Sequence, residues 1–434
     1  MNKITFQNAF LKFNQLDNNI IIEEISFQTI EELKLLIDRL VITNYLKLKD
    51  LKQILYYGDK DLTLYNFKKE NSFYFLNCDK IKIRRFVQIG DGATGKLNNI
   101  CDVKGVMVGQ FTLNLDDYHT GITVIKPHPG NVFKEKVVAS CYSFNGFGKS
   151  VGLVQVEELG TIETNVVFTT TMNVGKVMDG VIEDALNNNL EIGVSTGTVN
   201  SLVMECNDGG LNKSRDRILE KNDYFKALDN LNTDFVQGDV GAGMGMVCHG
   251  FKGGIGSSSR IIEINGKKYT LAIIVNSNFG SSNGLDLIFK GRALGDKIKA
   301  YNEQSEDKGS IVACLVTDLP LSDRQIRRLL KRVEIGIGRT GSYAGNGSGD
   351  VFVGFSTANK VNHFVDSPID NIERFSDNYI NTVFKRTVEA TEEAVLNSML
   401  FSHPLKGYLK EMKSLMEYFD LFSDLLNEVV EYEI

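Results

Sequence analysis

The sequence has few of the residues on which several common protein classes depend. Its six cysteines, at positions 78, 101, 141, 206, 248 and 314, form no CxxC pair, and its five histidines are dispersed. This pattern disfavours both a disulfide framework and a zinc site, so no metal or other cofactor is predicted. It is typical of reduced thiols in the cytoplasm, where we expect the protein to be located.

The sequence also lacks long apolar runs and an excess of basic charge. No window approaches the roughly eighteen uninterrupted apolar residues of a membrane span. The first ten residues, MNKITFQNAF, contain no apolar core of a secretory signal. The net charge of −7 disfavours nucleic acid as the main partner, because phosphate binding requires a basic surface. We therefore expect neither a membrane protein nor a nucleic-acid-binding protein.

The composition divides the 434 residues into two regions. Residues 1–80 are rich in Leu, Ile, Lys and Asn and poor in Gly. Helically spaced apolar residues over 29–40 and 45–57, and two short strands joined around residues 68–71, predict a small α+β appendage with no recognisable chemistry.

From residue 81 onwards, short β-rich runs alternate with clustered glycines and a few helical segments. Strands and helices that do not follow a strict βαβ order predict an α+β fold in which helices cover stacked sheets. Ser322 is a plausible N-cap for one of the helices. The predicted helices cover residues 175–189, 321–334, 370–400 and 406–432.

Four glycine-containing segments resemble known motifs or site loops, and the first two are rejected because they break the motif or its structural context. SFNGFGKS (143–150) has Ser143 where a phosphate-binding loop requires its first glycine, and GIGRTG (336–341) follows a predicted helix instead of the strand of a dinucleotide-binding site. GVSTG (193–197) matches the nucleophile elbow of α/β-hydrolases and remains an alternative, although no later acid–histidine pair supports it. The glycine-dense segment 238–260 fits either tight packing or close backbone approach around a site.

The strongest chemical signal is the Gly309–Ser310 step in EDKGSIVACLVTDLPL, where a polar linker meets an apolar strand. A serine hydroxyl can attack the preceding carbonyl in an N→O acyl shift, and glycine leaves that carbonyl open. Hydrolysis of the resulting ester frees an α-amine with a pKa of about 8, which can then act as the general base for its own hydroxyl. Other Gly–Ser or Gly–Thr steps begin at residues 160, 197, 256, 280, 341 and 347, so the step alone is not diagnostic.

A second polar segment, RTGSYAGNGSGD (339–350), contains Ser342, Asn346, Ser348 and Asp350 among four glycines. It is either an ordinary polar loop or a second part of the site. In a strand, Ser348 and Asp350 would project a hydroxyl and a carboxylate to the same side, where they could orient a freed amine.

Together these segments resemble the self-processing L-aminopeptidase/D-esterase and β-aminopeptidase family, whose members behave as N-terminal-nucleophile hydrolases. The resemblance runs in family order over about residues 81–400, does not extend to the first 80 residues and fades over the last thirty. Its motifs are NNICDVKGVMVG, NGFGKSVGLVQVEELGTIET, ECNDGGLN, GDVGAGMGMVCHGFKGGIGSSSR, NSNFG, KGSIVACLVTDLPL and RTGSYAGNGSGDVFVGFSTAN.

The resemblance implies a layered αββα sandwich and a catalytic domain over 81–434, cleaved between Gly309 and Ser310 into chains 1–309 and 310–434. It assigns Ser310 as the nucleophile, Ser348 and Asp350 as its supporting residues, and Asn278 as the side chain that helps to form the oxyanion hole. It also implies an oligomer of processed heterodimers.

The resemblance further implies that Glu205 receives the amino group of the substrate. Family members often have an aromatic residue two positions later, where this chain has Asn207, and this departure concerns the substrate pocket. The predicted activity is removal of the N-terminal residue from short peptides, amides or esters with a free amine. The alternatives are an amidase of the same fold for a pantetheine-like amide, and an unprocessed binding or interaction protein.

Overall fold

The structure is a computed structural model of the chain. It describes the backbone of the strands between residues 2 and 78, and residues 89–281, 284–295 and 309–415 with their side chains. The chain divides into two compact units, of which one comprises Met1–Phe86 and Met416–Ile434 and the other Val87–Leu415.

The first unit contains a six-stranded sheet whose spatial order follows the chain. Neighbouring strands are antiparallel except β3 and β4, which are parallel. The strands are β1 (Asn2–Phe6), β2 (Ala9–Leu16), β3 (Asn19–Ser26), β4 (Gln53–Gly58), β5 (Asp61–Glu70) and β6 (Phe73–Cys78).

The sheet confirms the predicted hairpin, because β5 and β6 pair directly from Tyr65 to Cys78. The helix predicted over 45–57 is wrong where β4 lies. Since β4 pairs with β3 on one side and β5 on the other, ladder hydrogen bonds on both edges outweigh the local helical spacing. The helix predicted over 29–40 lies outside the described residues.

The second unit contains two larger sheets. One has six strands in the order β10-β9-β20-β19-β16-β15, and the other has four in the order β12-β11-β8-β7. Their strands are β7 (Met107–Leu115), β8 (Tyr118–Lys126), β9 (Glu135–Gly146), β10 (Thr161–Ile162), β11 (Val166–Thr170), β12 (Leu202–Cys206), β15 (Gly254–Ile264), β16 (Lys267–Asn278), β19 (Ser310–Thr317) and β20 (Gly349–Asn362). Three two-stranded ribbons are β13 (Val247–Cys248) with β14 (Phe251–Lys252), β17 (Ile288–Phe289) with β18 (Arg292–Ala293), and β21 (Leu405–Lys406) with β22 (Glu411–Met412).

Five α-helices lie among the described residues, and none of these has the length and apolar content needed to cross a membrane. The Ser322 side chain accepts a hydrogen bond from the backbone N–H of Gln325, which confirms Ser322 as the N-cap of α4. The helices are α1 (Leu153–Leu159), α2 (Val174–Asn188), α3 (Lys221–Asp229), α4 (Asp323–Gly338) and α5 (Ile380–Leu400).

Alternating side chains of the four-stranded sheet show how the layers are stacked. Phe168 and Met204 face the core between the two sheets, where they join Val312 of β19. Val167 and Val203, their neighbours along the strands, face α2 and α3 instead. Since α4 and α5 pack on the six-stranded sheet, the second unit is an αββα sandwich, as predicted.

The final helical predictions are partly wrong. The helix predicted over 370–400 begins only at Ile380 as α5, after an exposed polar stretch that contains Pro368 and in which the capping side chain of Ser376 starts a short 3₁₀ turn. Over 406–432, the described part holds the β21–β22 ribbon instead of a helix, and residues 416–432 lie outside the described residues.

A buried ion cluster joins β15 to α5. The Arg260 side chain is fully buried, its Nη2 atom lies 2.8 Å from Glu393 Oε2, and its Nε atom lies 3.5 Å from Glu389 Oε2. The guanidinium also donates to the backbone carbonyls of Ser259 and Ile89. We call this group of three charged residues, Arg260, Glu389 and Glu393, the α5 ion cluster.

Candidate active site

Ser310 is the first residue of β19, a central strand of the six-stranded sheet, and its side chain is buried. In the strand register it lies opposite Asn278, the last residue of antiparallel β16, and opposite Gly349, the first residue of parallel β20. The sheet therefore places the predicted nucleophile between two predicted site segments, at the end of three neighbouring strands.

Gly309 occupies a position with no room for a side chain. A Cβ atom built there would lie 2.0 Å from the Asn278 carbonyl oxygen and 2.7 Å from Phe279 Cα. The Gly309 carbonyl accepts a hydrogen bond of 3.1 Å from the backbone N–H of Gly349. The carbonyl that precedes Ser310 is thus held and polarised by the neighbouring strand.

Ser348 and Asp350 flank Gly349 at the start of β20, and both are buried. The Ser348 hydroxyl donates a 2.7 Å hydrogen bond to Asp350 Oδ1, so the two side chains share one side, as predicted. A Cβ atom on Gly349 would lie 3.2 Å from Ser310 Oγ and 2.4 Å from the Phe147 carbonyl oxygen. Glycine between the two polar residues therefore leaves room for the Ser310 hydroxyl.

The Asn278 side chain is buried and held at both ends. Its Oδ1 atom accepts a 2.9 Å hydrogen bond from the backbone N–H of Val247, and its Nδ2 atom donates to the Asn207 carbonyl at 3.0 Å. These contacts fix which end of the amide is the donor. Because an amide nitrogen carries two hydrogens, one N–H of Asn278 has a second direction in which to donate.

Glu205 lies at the end of β12 in the other sheet, and its carboxylate is buried. Oε1 accepts a 2.9 Å hydrogen bond from the backbone N–H of Lys149, and Oε2 accepts one from the Thr171 hydroxyl. The Lys149 ammonium lies 3.6 Å from Oε1, although the lysine side chain is 59% exposed. The predicted amine-binding group is therefore a fixed anion with a displaceable counter-ion.

Asn207 is exposed and directs its side chain to its own loop, because its Oδ1 atom accepts a 3.0 Å hydrogen bond from the backbone N–H of Gly209. Its backbone carbonyl is the acceptor for Asn278. Asn207 thus contributes to the site through its main chain, and this contact links the strand end that contains Glu205 to the predicted oxyanion residue.

Cys206, between these two residues, is fully buried, and its thiol donates to the Asn276 carbonyl at 3.4 Å. Burial raises the pKa of the Cys206 thiol well above its usual range, and the negative charge of Glu205 raises it further. The thiol therefore stays protonated near neutral pH and does not compete with Ser310 as a nucleophile.

The sequence did not indicate four residues that complete these contacts: Lys149, Thr171, Val247 and Gly349. Lys149 lies in the segment SFNGFGKS and in a family motif that overlaps it, but neither pattern assigns the lysine a role. Val247 lies in the glycine-dense segment 238–260, which mostly serves packing. A Cβ atom on Gly256, for example, would lie 1.9 Å from the Ala394 carbonyl oxygen of α5.

The GVSTG segment is not a nucleophile elbow. Residues 193–197 form a tight turn in which three successive backbone N–H groups donate to the Glu191 carbonyl, without the strand–turn–helix that the elbow requires. His363 Nε2 lies 2.7 Å from the Thr196 hydroxyl, and no described contact joins it to Ser195. Among residues 89–281, 284–295 and 309–415, no cluster of His, Cys, Asp or Glu side chains has the arrangement of a metal site.

The αββα sandwich, with a serine at the start of a central strand and polar groups on the adjacent strands, has the architecture of an N-terminal-nucleophile (Ntn) hydrolase. The chain belongs to peptidase family S58, whose family model matches residues 98–412. It is therefore an aminopeptidase-type hydrolase, which favours the enzyme over the alternative of a binding protein.

Individual relatives agree with this family. The β-peptidyl aminopeptidase BapA of Sphingosinicella microcystinivorans is 31% identical over 341 residues, which are 73% of this chain and 84% of that protein. The PH0078 protein of Pyrococcus horikoshii OT3 is 42% identical, with a TM-score of 0.74 over 79% of this chain and 98% of that one. The L-aminopeptidase D-Ala-esterase/amidase of Ochrobactrum anthropi, described as a variant of the Ntn hydrolase fold, is 31% identical, with a TM-score of 0.73 over 79% and 98%.

Proposed function

We propose that the chain cleaves itself between Gly309 and Ser310, and that the new N-terminal Ser310 then removes N-terminal residues from short peptides, amides or esters with a free amine. The observation that best supports this is the register at the end of β19, where Ser310 lies between Asn278 and Gly349. A nucleophile, an amide donor and a backbone donor are adjacent there because of the sheet itself.

Self-cleavage begins when Ser310 Oγ attacks the carbonyl carbon of Gly309. The backbone N–H of Gly349, which already donates to that carbonyl oxygen, stabilises the negative charge that develops on it. As the new C–O bond forms, the C–N bond breaks and the hydroxyl proton passes to the Ser310 nitrogen. Water then hydrolyses the ester. The products are the carboxylate of Gly309 and an N-terminal Ser310 with a free α-amine and a free hydroxyl.

Turnover uses the same atoms with a substrate carbonyl in place of Gly309. The Ser310 α-amine accepts the proton of its own hydroxyl, Oγ attacks, and the leaving amine or alcohol departs with a proton. Asn278 donates to the developing oxyanion, a contribution of about 3 kcal/mol to lowering the barrier. Water releases the acyl group, and the Ser348–Asp350 pair orients the amine throughout.

Substrate orientation comes from Glu205. Its carboxylate is buried and fixed by Thr171 and Lys149, so the ammonium group of a substrate pairs with an anion that needs no rearrangement. This pairing selects substrates with a free N-terminus. Asn207 supplies no aromatic side chain at the position where family members often have one.

The test compares aminoacyl p-nitroanilides that have a free amine with their N-acetylated forms. The enzyme is expected to hydrolyse the free-amine substrates and to leave the acetylated ones almost untouched, and Ser310→Ala is expected to hydrolyse neither. Equal hydrolysis of both forms would contradict the role of Glu205, and activity in Ser310→Ala would contradict the nucleophile. The cytoplasmic location, the oligomer of processed heterodimers and the pantetheine-like amide alternative stay predictions.

A further inference from the structure

Lys149 is the only charged side chain that the described residues bring within ion-pair distance of Glu205. Two contacts of different kinds keep the lysine there. Its backbone N–H donates to Glu205 Oε1 at 2.9 Å, and its ammonium lies 3.6 Å from the same oxygen. The backbone contact fixes the position of the residue, whereas the exposed side chain is free to turn towards a ligand.

This lysine affects the binding of any substrate amine. An ammonium group on Glu205 comes within a few ångströms of the Lys149 ammonium, and two like charges at that separation repel each other. An N-terminal residue with an uncharged side chain has no negative group that could pair with Lys149 and offset this repulsion. A carboxylate next to the substrate amine turns the repulsion into an attraction, because it pairs with Lys149 while the amine pairs with Glu205.

The side of the site on which Lys149 lies determines which substrate group this carboxylate belongs to. Ser310 and Asn278 hold the scissile carbonyl, and Glu205 holds the amine of the residue that is removed. Lys149 lies next to Glu205, so its partner belongs to that residue and not to the leaving group. An aspartyl residue meets this condition, because only one or two carbon atoms separate its amine from its free carboxyl group.

We propose that Lys149 is a specificity-determining residue that makes the enzyme prefer substrates with an N-terminal acidic residue of the aspartyl type. The proposal rests on the proposed function of Ser310 and Glu205. An aspartyl group linked through its α-carbonyl and one linked through its β-carbonyl present the same two charges. The second is a β-aminoacyl group, and the β-peptidyl aminopeptidase named above is a relative of this chain.

The experiment measures kcat/KM for four p-nitroanilides: α-aspartyl, β-aspartyl, and the two matching compounds in which the free carboxyl group is a carboxamide. The wild-type enzyme is expected to prefer at least one carboxylate over its carboxamide by about five- to tenfold, mainly through KM. The α and β arms show which linkage the pocket accepts.

Variants of Lys149 keep the backbone N–H that holds Glu205, so they change the charge without removing that contact. Lys149→Met is expected to abolish the preference, Lys149→Glu to reverse it, and Lys149→Arg to retain it. Lys221→Met is the matched control, because Lys221 forms a partly exposed pair with Glu183 on the helical layer, and its preference should equal that of the wild type.

A wild-type enzyme that hydrolyses the carboxamides as well as the carboxylates would overturn this proposal and leave the aminopeptidase function intact. A preference that persists in Lys149→Met would also overturn it, because another group would then be responsible. If none of the four compounds is hydrolysed while other free-amine aminoacyl p-nitroanilides are, this inference fails alone. If no free-amine p-nitroanilide is hydrolysed, although Ser310 is present and N-terminal, the proposed function fails and this inference fails with it.

Discussion

Two groups of buried carboxylates in the second unit differ in what balances their charge. In the α5 ion cluster, Glu389 and Glu393 face the guanidinium of Arg260, and all three side chains are at most 1% exposed. Glu389 also pairs at 2.7 Å with Arg386, whose side chain is mostly buried. The Glu205 carboxylate is also buried, with 3% of its side chain exposed, but its cation is the exposed ammonium of Lys149. Its other partners are a hydroxyl and a backbone N–H.

The comparison separates a structural ion cluster from a binding site. An internal cation cannot leave without exposing an unpaired charge, so the α5 ion cluster is closed to ligands. A lysine that reaches its partner from the solvent can leave at little cost, because an exposed ion pair contributes only about 0–1 kcal/mol. The Glu205 carboxylate is therefore available to the ammonium group of a substrate.

The largest effect on stability is expected from removing the cation of the α5 ion cluster. Arg260→Met leaves the buried Glu393 carboxylate without its cation, whereas Glu389 keeps its pair with Arg386, and the change should lower the free energy of unfolding by about 3–5 kcal/mol. Arg327→Met is the matched control, because Arg327 also lies 2.8 Å from a glutamate, Glu157, but at the surface, and its loss should cost less than about 1 kcal/mol. Thermal or denaturant unfolding of both variants measures the difference, and equal losses would contradict the comparison.

Substitution of Glu205 should affect activity instead of stability. Glu205→Gln removes the anion that pairs with the substrate amine, and kcat/KM for free-amine substrates should fall by about 10²–10³-fold, equivalent to about 3–4 kcal/mol. The low activity on N-acetylated substrates should not change. Glu393→Gln is expected to show the opposite pattern, with a marked loss of stability and nearly normal turnover. A Glu205→Gln enzyme that keeps wild-type kcat/KM would remove the amine-binding role.

The next prediction tests whether Asp350 influences the general base, the α-amine of Ser310. Activity should rise with pH as the Ser310 α-amine loses its proton, because only the free amine can act as the base. The negative charge of Asp350 would favour the ammonium form and therefore raise the pKa of this amine. Asp350→Asn removes the opposing charge and should move the acidic limb of the kcat/KM profile to lower pH by about one unit, with slower turnover. Ser348→Ala should slow the reaction with a smaller shift, because a hydroxyl has no net charge. Profiles of processed enzyme are compared with Asp366→Asn, an exposed control, and a limb that stays in place would make the role of Asp350 structural.

Lys252 is a third type of buried charge, a cation that donates to the backbone carbonyls of Gly243 and Gly253 at 3.1 and 2.7 Å. Burial lowers its pKa to about 8. Because the unfolded chain keeps this proton up to about pH 10, the unfolded state binds more protons between pH 8 and 10, and stability rises with pH in that window. The stability of the wild type relative to Lys252→Met should therefore increase by up to about 1.4 kcal/mol per pH unit there. A relative stability as flat as that of the exposed control Lys268→Met would contradict the buried charge.

Local sequence predicted the elements whose stability is local. The helix α4 follows from its Ser322 cap and its apolar spacing, and the Gly309–Ser310 step follows from the chemistry of one peptide bond. The strand β4 was missed because its pairing with β3 and β5 depends on residues far along the chain.

The site shows the same division between local and distant information. The family resemblance indicated Glu205 and Asn278, but their contacts depend on how distant segments meet. Lys149 precedes Glu205 by 56 residues, so no spacing rule links the two. The role of Gly349 follows only from the register that places it beside Ser310.

The most direct test of the account is the intact mass of the purified protein. We expect two chains of 309 and 125 residues, the second beginning Ser-Ile-Val-Ala, and a single full-length chain in Ser310→Ala. Gly309→Ala should also slow cleavage, because its Cβ atom would collide with the Asn278 carbonyl oxygen. A wild-type protein that is active as one uncut chain, or a Ser310→Ala protein that is still cut at this bond, would contradict the central claim that Ser310 releases itself to become the nucleophile.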